Sequence, residues 1–215
     1  MFPAVGCLVA YGVALALIET LNRRTEARAR RVARRRSAEV QDVLCALLPL
    51  RHDGSLSFLP DVFCALYLAA LVVAAVANDR LLDMWASFLG VHAVLLAMRA
   101  ASQGATVTGL ASPNAAAKGK HSTGSSEIGM GGVALNSGIH DLMFSGHTST
   151  GTLCMVYASG ACGFSPLSLG LCSAAAVANS ALQVVVGDHY TQDVLIANFI
   201  TVPVALLAIG EIAWS

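Results

Sequence analysis

Six apolar stretches, each close to the length needed to cross a bilayer, constrain the fold of this 215-residue chain more than any other feature. A helix needs about 20 mainly apolar residues to cross roughly 30 Å of hydrocarbon. The chain is 56% hydrophobic and 12% charged, which leaves too little charge to solvate a globular surface of this size. These proportions argue against a soluble enzyme, a disordered protein and a general nucleic-acid binder. The stretches cover residues 3–21, 60–77, 82–98, 148–164, 167–186 and 194–214.

The pattern predicts an all-α integral membrane protein, a bundle of six transmembrane helices rich in alanine and glycine, which favour close helix packing. We divide the chain into residues 1–58, which hold the first span and an arginine-rich interfacial segment, and residues 59–215, which form a five-helix core. Residues 1–21 would add one span to that core. A signal peptide is the alternative for the first stretch, but no charged segment precedes it.

An arginine cluster indicates how the spans are oriented. Eight of the thirteen basic residues are arginines between Arg23 and Arg36. Positive charge marks the cytosolic side of a membrane protein, and such a cluster also binds anionic lipid headgroups. With six spans, the starts of the second, fourth and sixth spans lie on this side, together with the ends of the third and fifth.

Three polar sites on that same side interrupt the apolar background. Residues 144–148 enter the fourth span, residues 187–193 lead into the sixth, and Arg99 ends the third. Polar residues at helix ends can occur by chance or set topology, and a lone histidine such as His92 fits a packed or pore-facing role. The three sites together predict a shared functional site at one membrane face.

The residue types at these sites suit phosphoryl transfer. Residues four apart share a helix face, so Asp193 can orient one nitrogen of His189 and leave the other free to attack phosphorus. His147 can act as general acid for the leaving group, and Arg99 can bind phosphate oxygens in its planar fork. This predicts a catalytic chamber that uses no cofactor and no metal. A metal site built from His147, His189 and Asp193 is the alternative.

Two of these strings resemble the signature motifs of sphingomyelin synthases, which belong to the type 2 phosphatidic acid phosphatase superfamily. They are S-G-H-T at Ser145–Thr148 and H-Y-T-x-D-V at His189–Val194. Three further segments are similar to this family: Leu59–Phe63, Arg99–Pro113, and Gly131–Asp141, in which Asp141 precedes His147 by six residues. The resemblance covers roughly residues 59–208.

The resemblance implies an enzyme that transfers a phosphocholine-type headgroup between lipids. His189 would attack the phosphorus of phosphatidylcholine with help from Asp193, and His147 would protonate the departing diacylglycerol. The acceptor would be ceramide or diacylglycerol. The residues expected to bind substrate are Arg99, Asp141, Ser145, Gly146 and Tyr190.

The resemblance also implies an endomembrane location, in the endoplasmic reticulum or Golgi. Sphingomyelin synthases work on the lumenal or exoplasmic face, whereas the arginine cluster predicts the cytosolic face. The expected partners are the donor lipid, the acceptor lipid and the bilayer, with no nucleic acid. Self-association into a homo-oligomer stays open.

Two other functions compete with headgroup transfer. A lipid phosphate phosphatase would use water as acceptor, but such phosphatases carry Ser-Arg six or seven residues before the second histidine. Leu182 and Gln183 stand there in this chain. A non-catalytic lipid-binding or scrambling protein would have no need for the combination of His147, His189 and Asp193.

Overall fold

The computed structural model describes residues 58–105 and 144–214, together with a few helical positions between residues 9 and 20. All regular structure in these residues is helical, which confirms the predicted all-α class for this part of the chain. The arginine cluster, most of the first apolar stretch and the connection that holds Asp141 lie outside the described residues. The helices are α1 Leu59–Ala77, α2 Leu81–Ala105, α3 Gly146–Ala161, α4 Pro166–Val185 and α5 Thr191–Trp214.

Four of these helices are long and apolar enough to cross a membrane: α1, α2, α4 and α5. They match four of the six predicted spans. The predicted fourth span is α3, which has only 16 residues and is about 24 Å long. Its first two turns consist largely of Gly, His, Thr and Ser, so its sequence is less apolar than that of a typical lipid-facing helix. Six spans are therefore not established, and the supported number is four among the described residues.

Short turns make consecutive helices antiparallel. Asn78, Asp79 and Arg80 join α1 to α2, and residues 162–165 join α3 to α4. Pro166 begins α4, where its missing N–H costs nothing, and the Ser165 hydroxyl accepts a hydrogen bond from the Ser168 amide. The starts of α1, α3 and α5 therefore lie at one end of the bundle, together with the ends of α2 and α4.

Helix α3 is the centre of the bundle. All but one of its residues are buried, and it packs against the other four helices. Its polar side chains bond to its neighbours: the Thr152 hydroxyl donates to Asn198 Oδ1 at 2.6 Å, and Thr150 Oγ1 lies 3.1 Å from His92 Nε2. Such bonds between helices satisfy polar groups that lipid cannot.

The outer faces of the spanning helices are apolar. Leu82, Leu167 and Phe199 are among the exposed large hydrophobic side chains. A soluble protein rarely exposes so much apolar surface, whereas lipid tails cover it without cost. The apolar outer faces and the buried polar helix α3 together indicate an integral membrane protein.

Candidate active site

Three contacts bring the three predicted polar sites, and one residue that was not predicted, together at one end of the bundle. Each contact involves one of the first residues of the α3 region, so this segment is the hub of the arrangement. The contacts join His147 to Asp61, Gly146 to Arg99, and Ser145 to Asp193. We call this end, where α3 and α5 begin, the site end of the bundle, and the opposite end the far end.

His147 lies in the first turn of α3 and pairs with a carboxylate from another helix. Its Nε2 atom lies 3.0 Å from Oδ1 of Asp61, which is in the first turn of α1. The imidazole is 10% exposed and the carboxylate 50% exposed. The other ring nitrogen, Nδ1, is buried and has no hydrogen-bond partner among the described residues. Asp61 therefore fixes one nitrogen of His147 at the edge of the bundle.

The backbone of His147 is fastened separately from its ring. Asn179 Nδ2 donates to the His147 carbonyl at 3.2 Å, and Cys64 Sγ lies 3.6 Å from the same oxygen. Gly151, one turn further along α3, leaves the space that Asn179 occupies, because a Cβ there would lie 3.0 Å from Asn179 Cγ. These contacts hold the first turn of α3 between α1 and α4.

Arg99 is 1% exposed, and its guanidinium group lies against Gly146. A Cβ on Gly146 would meet Arg99 Cζ at 2.9 Å, so only glycine allows this approach. Arg99 was predicted at the end of the third span, and the structure shows that α2 continues beyond it to Ala105. Ser102 and Gln103 lower the hydropathy there without breaking the helix.

The position of Arg99 favours anion binding. The first turn of a helix presents backbone N–H groups and the positive end of the helix dipole. In α3 this turn begins with Gly146, so the guanidinium and the helix N-terminus are adjacent. Each of these groups binds phosphate oxygens in proteins, and together they form a candidate phosphate-binding site.

His189 and Asp193 form the second histidine–carboxylate pair, and both side chains are 0% exposed. His189 Nδ1 lies 3.8 Å from Asp193 Oδ2, which is within ion-pair range and longer than a hydrogen bond. The Tyr190 amide donates to the same Oδ2 at 3.0 Å. The carboxylate is thus fixed by the backbone and faces Nδ1, which leaves Nε2 as the nitrogen directed away from it.

The two residues do not share a helix face in the way that their spacing predicted. Helix α5 begins at Thr191, so His189 precedes it and only Asp193 lies inside its first turn. The pair comes together because the Asp193 side chain folds back over the helix start, as the third residue of a helix does in a capping box. The spacing therefore predicted the correct pair of residues, but a helix cap brings them together instead of a shared helix face.

The remaining predicted residues take several positions. Ser145 precedes α3, where its hydroxyl accepts from the Thr148 amide at 3.2 Å and its amide donates to the Asp193 carbonyl at 3.5 Å. Tyr190 is buried beside His189. Asp141 lies outside the described residues. The roles of these residues in substrate binding stay predictions.

Sequence reasoning missed Asp61 and Asn179 as site residues. Asp61 had a visible signal, since it is an acidic residue in the first turn of an apolar helix, directly after Pro60. Its partner His147 is 86 residues away, and nothing local identifies such a pair. Asn179 had a weaker signal, as an amide inside an alanine-rich span.

The alternative metal site lacks geometric support. Over residues 58–105 and 144–214, no group of three or more His, Cys, Asp or Glu side chains is arranged to hold a metal ion. His147, His189 and Asp193 are all among these residues.

The family comparison adds to this geometry. Residues 140–209 match the family model described as PAP2 superfamily C-terminal. The match supports the type 2 phosphatidic acid phosphatase superfamily. It covers about a third of the chain and contains His147, His189 and Asp193, whereas Asp61 and Arg99 lie outside it. No curated protein and no solved structure matches the chain.

The match to this superfamily suggests lipid phosphatase or phosphotransferase chemistry, and the four apolar helices agree with a lipid substrate in a bilayer. The match does not distinguish headgroup transfer from hydrolysis.

Proposed function

We propose that this chain is a membrane enzyme that transfers a phosphocholine-type headgroup from a glycerophospholipid to a second lipid alcohol, ceramide or diacylglycerol. One observation carries the proposal: the segment that begins α3, with His147, contacts the segment that begins α5, with the His189–Asp193 pair. This contact supports a single site that contains a histidine nucleophile, its carboxylate and a second histidine. This combination suits double displacement at phosphorus.

In the first half of the reaction, His189 Nε2 attacks the phosphorus of the donor lipid. A P–N bond forms and the P–O bond to diacylglycerol breaks. The imidazole becomes positively charged, and Asp193 stabilises that charge through Nδ1. His147 gives a proton to the leaving oxygen, so diacylglycerol departs as a neutral alcohol.

In the second half, the hydroxyl of the acceptor lipid attacks the phosphohistidine. His147 takes the hydroxyl proton, the new P–O bond forms, and the P–N bond to His189 breaks. Asp61 accepts a hydrogen bond from His147 Nε2 throughout, so Nδ1 is the nitrogen that gives and takes the proton. Both histidines return to their starting state, and no oxidant, reductant or metal is needed.

Charge on the transferring phosphoryl group needs stabilisation in both halves. Arg99 and the first amides of α3 supply it, because the guanidinium lies against Gly146, the first residue of that helix. A preorganised guanidinium and helix N-terminus cost no reorganisation during the reaction.

Hydrolysis by a lipid phosphate phosphatase is the alternative. One sequence feature favours transfer over hydrolysis. Leu182 and Gln183 occupy the positions at which lipid phosphate phosphatases of the resembling superfamily carry Ser-Arg.

We further propose an endomembrane location, in the endoplasmic reticulum or Golgi.

The test is lipid-acceptor profiling of the purified full chain in liposomes. Phosphatidylcholine labelled in its headgroup is supplied without acceptor, with ceramide, or with diacylglycerol whose acyl chains differ from those of the donor, and His189→Ala serves as the inactive control. We expect label to appear in a lipid other than the donor only when an acceptor is present. Label released as free phosphate or phosphocholine at a rate independent of acceptor would reject transfer in favour of hydrolysis.

A further inference from the structure

Gln183 is a buried polar side chain that the reaction described above does not use. It lies in the last turn of α4 and is 0% exposed. Neither its Nε2 nor its Oε1 has a hydrogen-bond partner among the described residues. Buried amides are nearly always hydrogen-bonded, so this amide has a donor and an acceptor available to a water molecule or to a bound substrate.

The surroundings of Gln183 place it at the site end. Asn179, one turn earlier on α4, faces α3 and donates to the His147 carbonyl. Residues four apart lie on the same helix face, so Gln183 faces the same way, one turn nearer the site end. Its own carbonyl accepts from the amides of Asp188 at 3.1 Å and His189 at 3.3 Å. The Gln183 side chain therefore lies at the site end of α4, on the helix face that also carries Asn179, and the backbone of Gln183 is hydrogen-bonded to that of His189.

The charges at the site end restrict what this amide can help to bind. Among residues 58–105 and 144–214 the basic residues other than histidine are Arg80 and Arg99, and Arg80 lies in the turn at the far end. Three carboxylates lie at the site end: Asp61, Asp188 and Asp193. Among the described residues, one permanent positive charge thus lies at the same end of the bundle as three acidic groups. These described groups disfavour a second negative charge on a substrate bound beside them.

We propose that Gln183 forms, with Arg99, a phosphate-binding subsite that selects a phosphodiester over a phosphomonoester. A phosphodiester carries one negative charge, which Arg99 balances, whereas a phosphomonoester carries nearly two at neutral pH. The amide Nε2 donates to a phosphate oxygen without adding charge. Gln183 thereby sets the substrate class of the same site, so this inference rests on the proposed function for its setting.

Binding measurements test this directly in the full chain purified in detergent. The background is His189→Ala, which cannot turn substrate over, and the probes are short-chain phosphatidylcholine and short-chain phosphatidic acid. We expect phosphatidylcholine to bind at least tenfold more tightly. Adding Gln183→Met, which keeps the shape of the side chain and removes the amide, should weaken phosphatidylcholine binding by about tenfold or more.

A charge substitution sharpens the result. Gln183→Arg adds a second cation and should reverse the preference, so that phosphatidic acid binds more tightly than phosphatidylcholine. If Gln183→Met does not fold, the reversed preference expected for Gln183→Arg is by itself a sufficient test of the proposal. Thr201→Val is the matched control, because Thr201 is also buried with a hydroxyl that has no partner among the described residues, but lies in the middle of α5. It should bind both lipids as the background does.

The inference is overturned if phosphatidic acid binds the background more tightly, or if neither Gln183 substitution changes the ratio of the two affinities. Its failure can be told apart from failure of the proposed function. Headgroup transfer by the wild type together with an unchanged ratio would reject the role of Gln183 alone. Selective phosphatidylcholine binding without transfer to any acceptor would reject the transfer reaction and leave the subsite in place.

Discussion

The two histidine–carboxylate pairs at the site end are built in opposite ways. His189 and Asp193 lie four residues apart at the start of one helix, and both are completely buried. His147 and Asp61 come from two helices, and the carboxylate is half exposed. The first pair is separated by 3.8 Å, while the second is in direct hydrogen-bond contact at 3.0 Å.

This difference suits two different tasks. A nucleophile that becomes covalently bonded must keep its position. The Asp193 carboxylate is fully buried and held by the Tyr190 amide, so its negative charge is fixed and weakly screened. A histidine that gives and takes protons has to exchange them with lipids that come and go. A partner at the bundle edge, screened by solvent, stabilises its charge more weakly. We therefore expect the two pairs to respond unequally to substitution.

The largest effect should follow from removing the nucleophile. His189→Ala leaves no atom to form the P–N bond, so headgroup transfer should fall by about 10,000-fold or more in the liposome assay. His92→Gln is the control, since it removes another buried imidazole but can keep a hydrogen bond to Thr150. That variant should keep most of its activity. Substantial transfer by His189→Ala would show that His189 is not the nucleophile.

The next largest effect should come from Asp193→Asn. The amide oxygen can still accept from the Tyr190 N–H, so the start of α5 stays capped, but the charge that orients and stabilises His189 is gone. We expect a loss of about 1,000- to 10,000-fold in rate. The melting temperature should change little.

Asp193→Ala is the companion measurement, because it removes the charge and the cap together. It should lose activity to the same degree and also about 1 kcal/mol of stability, as other helix-cap deletions do. Equal melting temperatures for the Asn and Ala variants would contradict the capping contact. Activity retained in the Asn variant would contradict the role of the charge.

The sequence made the His189–Asp193 pair predictable because both partners lie within one turn of chain. A continuous helix and a helix cap both keep His189 and Asp193 close together. The His147–Asp61 pair depends on α1 packing against α3, which no local pattern encodes. Asp61 could be noticed as an acidic residue at the start of an apolar helix, but its partner could not be named.

Hydropathy predicted α1, α2, α4 and α5 because lipid-facing helices must be apolar along their length. It placed α3 among the spans without revealing that this helix is short and surrounded by the others. A helix enclosed by protein can carry polar side chains such as Thr150 and Thr152, since its neighbours bond to them. Hydropathy alone therefore does not distinguish a helix that is buried among other helices from a helix that is surrounded by lipid.

A smaller effect is expected for Asp61→Asn. The substitution keeps a hydrogen-bond acceptor near His147 Nε2 and removes a charge that solvent already screens, so transfer should fall by about 10- to 100-fold. Asp83→Asn is the matched control, because Asp83 is an exposed acidic residue in the first turn of α2 at the far end. It should have no effect on transfer. A loss as large as that of Asp193→Asn would show that the two histidine–carboxylate pairs respond equally to substitution, which would contradict the expected difference between them.

The smallest effect on rate should come from Asn179→Ala, which acts on the backbone of His147 and leaves both pairs intact. The Nδ2 donor to the His147 carbonyl is lost, and the space beside Gly151 is left unfilled. A buried carbonyl that loses a partner costs about 1–3 kcal/mol, so thermal unfolding should shift clearly downward. Transfer should fall less than tenfold, because the Asp61 contact still holds the ring.

Ser180→Ala is the control for Asn179→Ala. The Ser180 hydroxyl accepts from Asn198 Nδ2 at 2.8 Å, so this variant should also lose stability, but its transfer rate should not change. Equal transfer rates in the two variants would mean that the ring contact alone positions His147, whereas a loss from Asn179→Ala alone would show that backbone fastening contributes to the reaction.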